Sequence, residues 1–182
     1  MIYTWKYDSP LGPLTLAEED GALVGLWMQG QKYFPRDQKA RQGFTPTLEQ
    51  TAAWLDRYFA GCRPEMSALS LNPKGSEFRR EVWDILRRIP YGETTTYAAI
   101  AAQIAKNRGI SRMSAQAVGN AVGHNPISIL IPCHRVVGSG GSLTGYAGGL
   151  ERKQWLLDWE KSHRTQPSGN LLIFPGKHRK KG

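Results

Sequence analysis

Apolar and polar residues alternate roughly over residues 2–7, and two further apolar-rich runs, 14–17 and 22–28, read as strands. A period of two is the pattern of strands with one buried face. The breaks between the three runs are turn sequences, Pro10-Leu11-Gly12-Pro13 and Asp20-Gly21, so an antiparallel meander is expected. Residues 29–44 are polar with little periodicity and predict a loop or a weak helix. The period then lengthens. Leu48, Ala52, Leu55 and Phe59 share one helical face, Thr47-Leu48-Glu49-Gln50 fits a capping box, and Gly61 supplies the stop. Residues 63–75, with Pro64 and Pro73, connect two halves. Ser76 then caps a helix whose apolar face is Phe78, Val82, Ile85 and Ile89, with Pro90 and Gly92 ending it. Two shorter helices, over 96–104 and 112–123, flank the basic loop Lys106-Asn107-Arg108-Gly109, the pattern of a helix-turn-helix.

A chain of 182 residues forms one ordinary domain or two small ones sharing a core. Six Trp, seven Tyr and five Phe exclude wholesale disorder. No run approaches the ~20 apolar residues of a membrane span, and the N-terminus lacks the features of a secretory signal, so a cytoplasmic protein without membrane partners is expected. The charge changes the picture. With 24 Lys and Arg against 15 Asp and Glu, the formal net charge is +9, which favours polyanionic partners. Part of that surplus is a C-terminal arm, Lys177 to Lys181, expected to be a solvated tail. The second short helix is rich in small residues, with Ala115, Ala117, Gly119, Ala121 and Gly123. Close packing against a neighbour accounts for some of these. A narrow helix that enters a groove accounts for the rest, with Arg108 and Arg112 beside it.

Only two cysteines occur, Cys62 and Cys133, which excludes a disulfide scaffold and a four-thiolate zinc site. Cys62 follows the predicted helix stop and reads as an incidental thiol. Cys133 follows a short apolar run, 127–131, expected to be a buried strand, and stands in Pro132-Cys133-His134-Arg135-Val136-Val137. A cysteine beside positive charge and a base is a candidate thiolate nucleophile. Adjacent residues on an extended chain point to opposite faces, so His134 would act on Cys133 through water.

That motif, followed by Thr144-Gly145-Tyr146-Ala147-Gly148-Gly149, resembles the O6-alkylguanine-DNA alkyltransferases, or methylated-DNA–protein-cysteine methyltransferases. The likeness extends to Asp8-Ser9-Pro10-Leu11-Gly12-Pro13-Leu14, Pro90-Tyr91-Gly92-Glu93-Thr94, Asn125-Pro126-Ile127 and Arg152-Lys153-Gln154-Trp155-Leu156-Leu157. The resemblance implies a suicidal repair reaction on double-stranded DNA, in which an alkyl group passes from O6 of guanine, or O4 of thymine, to the protein's own cysteine. By position it makes Cys133 the acceptor, His134 the base, Glu160 the carboxylate orienting the imidazole, and Asn125 the hinge between recognition helix and active site. It puts the Tyr97 hydroxyl near N3 of the base and the backbone N–H groups of Tyr146 and Ala147 at O6. The carbonyls of Cys133 and Val136 would accept from the exocyclic amine. DNA contacts are expected from Arg112, Gln116, Ala117, Gly119 and Arg135. The family's flipping arginine falls at Gln116, a departure, and extra residues occur around 106–112. No cofactor and no metal are expected, because the zinc ligands of some relatives have no counterparts here.

The fold class predicted is α+β. A small N-terminal antiparallel sheet plus helix (1–74) supports a C-terminal winged-helix-like helical domain (75–165) that carries the active site, and a basic tail covers 166–182. The chain is expected to act as a monomer. An alkylated-base binder without chemistry would lack Cys133, a regulatory winged-helix protein would not need the Cys-His pair and distant Glu, and a cysteine hydrolase fits the remaining motifs poorly.

Overall fold

The computed structural model describes residues 1–36 and 39–165, so the expectation for the tail at 166–182 lies outside the described residues. The meander forms as the alternation requires. Strands β1 (Ile2–Ser9), β2 (Gly12–Glu19) and β3 (Ala22–Met28) pair antiparallel, with Ile2 opposite Glu19 and Leu14 opposite Met28. Asp20 and Gly21 both take positive φ, 51° and 79°. That is the tight-turn geometry whose twist matches the flanking strands. Part of the 29–44 segment departs from the loop or weak helix expected there. Strand β4 (Ala40–Gln42) adds parallel to β1, giving the order β3-β2-β1-β4. Its three side chains are all exposed, so no alternation marked it.

Helix α1 (Pro46–Phe59) begins earlier than the capping-box reading implied. The cap is Thr45, whose hydroxyl accepts from Leu48 N, with Pro46 in the first turn, where a missing N–H costs nothing. The Thr47 hydroxyl instead donates to Gly21 O at 3.0 Å and ties the helix to the β2–β3 turn. The buried face holds Leu48, Thr51, Ala52, Trp54, Leu55 and Tyr58, which widens the predicted stripe, and Phe59 packs half-buried against the same core.

Ser76 caps α2 (Glu77–Leu86). Strand β5 (Thr95–Thr96) leads into α3 (Tyr97–Arg108), which is a turn longer than expected and absorbs most of the basic loop. It stops at Gly109 (φ 63°), with Ile110 N bonded back to Ala105 O. Helix α4 (Ala115–Gly123) starts late, capped by Ser114, so Arg112 lies outside the helix. Arg108 is engaged in an ion pair with Glu81 of α2 and stacks over Phe78. Trp83 Nε1 of α2 donates to Ala121 O of α4 at 2.8 Å.

The expected strand at 127–131 is absent. Ile127 makes only an isolated bridge to Leu26, and the chain then turns tightly, with Ile129 at φ 70°. The cause is Asn125. Its amide donates to the carbonyls of Ile127 (3.3 Å) and Ile131 (2.8 Å) and accepts from Ile127 N (3.0 Å), folding the segment onto itself. Residues Cys133–Arg135 form one 3-10 turn, β6 (Val136–Val137) pairs parallel with β5, and α5 (Leu150–Ser162) closes the described chain.

One apolar cluster runs through both halves, joining Leu14, Leu16 and Leu26 of the sheet to Leu55, Leu86, Ile104, Val118, Ile131 and Leu156. The architecture is α+β. Among the described residues no helix is long and apolar enough to cross a membrane. Thr45→Ala removes the cap of α1 and is expected to lower stability by about 1 kcal/mol, or roughly 2–4 °C in Tm for a chain of this size. Thr47→Ala leaves that cap intact; thermal unfolding of the pair checks the assignment.

Candidate active site

The 3-10 turn sets Cys133, His134 and Arg135 facing different neighbours, and all three are buried. His134 reaches α5, where its Nε2 lies 2.7 Å from Oε1 of Glu160. Far from being a surface acid, Glu160 is fully buried and accepts five hydrogen bonds. His134 Nε2, Arg135 Nη2 (2.8 Å) and the Tyr58 hydroxyl (2.8 Å) meet Oε1, while Arg135 Nε (2.8 Å) and Gly92 N (3.2 Å) meet Oε2. Burial alone would raise the carboxyl's pKa, but His134 and Arg135 outweigh it and hold Glu160 well below the usual carboxylate range.

An ionised Glu160 can only accept, so His134 Nε2 carries the proton and Nδ1 keeps the lone pair. Nδ1 is buried and has no hydrogen-bond partner among the described residues. Burial lowers the His134 pKa, with Glu160 opposing, so the ring is neutral at neutral pH. That is the state a base needs. Burial pushes the Cys133 thiol up, against the expectation that its basic setting lowers it; the Asn125 amide, Lys153 and nearby backbone N–H groups pull it down only partly. The resting cysteine is a protected thiol that needs a base to ionise.

Arg135 corrects the expected DNA contact. Its side chain turns inward, with Nε and Nη2 on Glu160, Nη1 on Ile89 O at 2.7 Å, and the guanidinium 5.6 Å from the Tyr91 ring centroid. Three of its five N–H donors are committed inside the fold and the residue is buried, so it is not presented to a phosphate at the surface. Tyr97, at the start of α3, donates its hydroxyl to Thr144 O at 2.9 Å and so fastens the recognition unit to the 144–149 loop. The backbone N–H groups of Tyr146 and Ala147 bond no protein acceptor among the described residues, whereas their carbonyls accept from Gly149 N and Lys32 N. Val136 O accepts from Lys153 at 2.6 Å.

Lys153 was invisible in the sequence. It sits between Arg152 and Gln154 on a helix that reads as surface, yet it is fully buried, with Nζ on the carbonyls of Val136, Thr144 (3.1 Å) and Gly145 (3.2 Å). Burial lowers its pKa to about 8, with Cys133 opposing. It gathers β6 and the 144–149 loop around the thiol. Tyr58 lies three residues after Leu55 on the same face of α1, and only the fold brings it to Glu160, 102 positions away. No group of three or more His, Cys, Asp or Glu among the described residues is arranged to hold a metal ion.

On α4, Ala115 and Gln116 are exposed, and Ala117 and Gly119 are half-buried. A Cβ at Gly119 would meet Tyr97 only at an ordinary 3.7 Å, and one at Gly123 would meet nothing within 4 Å. Close packing therefore does not explain these glycines. Arg112 is exposed two residues before the Ser114 cap and does not stack over Gln116 as a helical i, i+4 pair would.

A family model for the DNA-binding domain of 6-O-methylguanine DNA methyltransferase matches residues 77–162, and one for its ribonuclease-like domain matches residues 2–73. The methylated-DNA–protein-cysteine methyltransferase of Mycolicibacterium paratuberculosis is 48% identical over 177 residues, 96% of this chain and 99% of that one. The enzyme of that name from Haemophilus influenzae is 37% identical over 160 residues, covering 88% of this chain and 87% of its own. Among solved structures, Mycobacterium tuberculosis O6-methylguanine methyltransferase superposes with a TM-score of 0.76 at 43% identity, covering 90% of this chain and 94% of that chain. The M. tuberculosis OGT in complex with DNA gives 0.75 at 42%, covering 89% and 93%.

The Lys153 ammonium favours the thiolate, so Lys153→Met is expected to move Cys133 ionisation to higher pH. The difference from wild type is largest below about pH 8 and fades above it, as Lys153 itself loses its proton. The pH–rate profile for a small thiol-alkylating reagent measures the shift.

Proposed function

The chain belongs to the methylated-DNA–protein-cysteine methyltransferases, and from that membership we propose that it repairs DNA by moving the alkyl group of O6-alkylguanine, or O4-alkylthymine, irreversibly onto its own Cys133. The observation that carries the assignment to Cys133 is the buried relay beside it: His134 Nε2 is committed to Glu160 while Nδ1 has no protein partner among the described residues.

In this reading the thiol proton passes through a bridging water to His134 Nδ1. Sγ then bonds to the alkyl carbon as the carbon–O6 bond breaks. The electron pair leaves on the guanine, which takes up a proton. The N–H groups of Tyr146 and Ala147, without protein acceptors among the described residues, stabilise charge at O6, and the Tyr97 hydroxyl turns from Thr144 O to N3. The carbonyls of Cys133 and Val136 receive the exocyclic amine. Asn125 keeps the segment before Cys133 folded so that α4 and the thiol move as one piece. The thioether formed is stable, so each molecule reacts once.

The target atom is stacked inside duplex DNA, and the nucleotide must be flipped out at a cost of a few kcal/mol. We assign the exposed side of α4 to the duplex, with Gln116 filling the space left and Ala117 and Gly119 allowing close approach. Arg112 reaches phosphate from the loop before the helix. The chain divides functionally at 74/75, every residue of the relay comes from one chain, and it works as a monomer on chromosomal DNA in the cytoplasm without a cofactor.

Intact-mass measurement after incubation with an O6-methylguanine duplex is expected to show one methyl group per protein, absent in Cys133→Ala, which still binds DNA. Multiple turnover, or label on Cys62, overturns the assignment. Gln116→Ala is expected to slow repair of the duplex while leaving reaction with free O6-benzylguanine nearly unchanged, since a free base needs no flipping. Arg112→Ala should weaken binding on all sequences and reduce the salt slope by about one.

A further inference from the structure

Glu160 is held from both halves of the molecule. Four of its hydrogen bonds come from the C-terminal half, through His134, Arg135 (twice) and Gly92; the fifth comes from Tyr58, near the end of α1 in the N-terminal half. We propose that Tyr58 is a positioning residue for alkyl transfer, its hydroxyl holding Oε1 of Glu160 and limiting how much of that oxygen's charge reaches His134. The inference rests on the relay reading above and extends it across the boundary at residue 74, since the supporting half then completes the active-site network.

Tyr58, His134 Nε2 and Arg135 Nη2 all meet Oε1, at 2.8, 2.7 and 2.8 Å, so the phenol competes with the imidazole for one oxygen. Its geometry is tightly fixed. Tyr58 is fully buried and stacks on Trp54 at 5.4 Å between centroids. It packs edge-on to Phe59 and Tyr91, and its backbone carbonyl accepts from Trp159 Nε1 of α5 at 3.0 Å. The phenol stays protonated, because burial and the Glu160 charge both raise its pKa. It therefore only donates to the carboxylate. The charged and titratable groups around the relay are Glu160, His134, Arg135, Tyr91, Tyr146, Lys153 and Cys133, and of these none replaces the Tyr58 donor at Oε1.

Removing the hydroxyl leaves more negative charge on Oε1 for His134. The imidazole then holds a proton up to a higher pH, so the neutral ring that accepts the Cys133 proton is lost sooner as pH falls. In Tyr58→Phe the stack on Trp54 and the Trp159 bond to the main chain remain.

The test is the pH–rate profile for Cys133 alkylation by free O6-benzylguanine, measured on the full chain. Tyr58→Phe is expected to move the acid limb up by roughly half a pH unit. Trp159→Phe removes the neighbouring interdomain hydrogen bond without touching Glu160. It is expected to lower Tm and leave the profile in place. A lowered Tm with an unmoved profile in Tyr58→Phe, or an equal shift in both variants, overturns the role assigned to Tyr58. Failure of the wild-type chain to gain one benzyl group on Cys133 would instead overturn the relay reading, and intact mass separates the two.

Discussion

A carboxylate taken out of water must be surrounded by donors, and the burial of Glu160 is the constraint to which the rest of the site answers. An isolated buried ion costs several kcal/mol even after relaxation. Five hydrogen bonds, two of them from one arginine, meet that cost here. Satisfying it draws in the C-terminal end of α1, the Tyr91-Gly92 turn, the 3-10 turn and the last helix, so much of the tertiary arrangement converges on one side chain. Once ionised and enclosed, Glu160 dictates the imidazole tautomer and leaves Nδ1 as the acceptor.

A second buried ion, Lys153, does the same on the other side of Cys133. Its three carbonyl partners belong to β6 and the 144–149 loop, segments with little regular structure of their own. The thiol lies between an enclosed anion network and an enclosed cation, with desolvation holding it neutral. Reactivity is therefore withheld until a proton acceptor and an electrophile are both in place. That suits a protein able to react only once.

The sheet was legible in the sequence because its alternation and turn chemistry agree; Asp20-Gly21 is the clearest case. Three elements were not. The β4 edge strand has no buried side to pattern it. The cap of α1 is Thr45 and not Thr47: the capping-box spacing of residues 47–50 points to the later start, although Pro46 in the first turn marks the earlier one. The 127–131 segment is as apolar as a strand, yet the Asn125 amide occupies its main-chain groups and folds it into a turn. Within the site, the motif residues Cys133, His134, Glu160 and Asn125 come together as a cluster, whereas Arg135 shows the limit of reading charge from sequence: beside a nucleophile it suggested DNA, but a buried carboxylate 25 positions later claims it. Lys153 and Tyr58 gave no signal, because their partners are carbonyls and a carboxylate that only the tertiary fold supplies.

The indole of Trp83 grips α4 by the main-chain carbonyl of Ala121, one of the carbonyls that the end of a helix leaves without a partner. An anchor made to the backbone is indifferent to side-chain identity. With Val118, Ala121 and Val122 buried below it, the helix keeps its seat while Ala115, Gln116 and Asn120 on the far side are free to be replaced. The mount and the exposed side are thereby uncoupled. A residue such as Gln116 can vary there without loosening the machinery beneath.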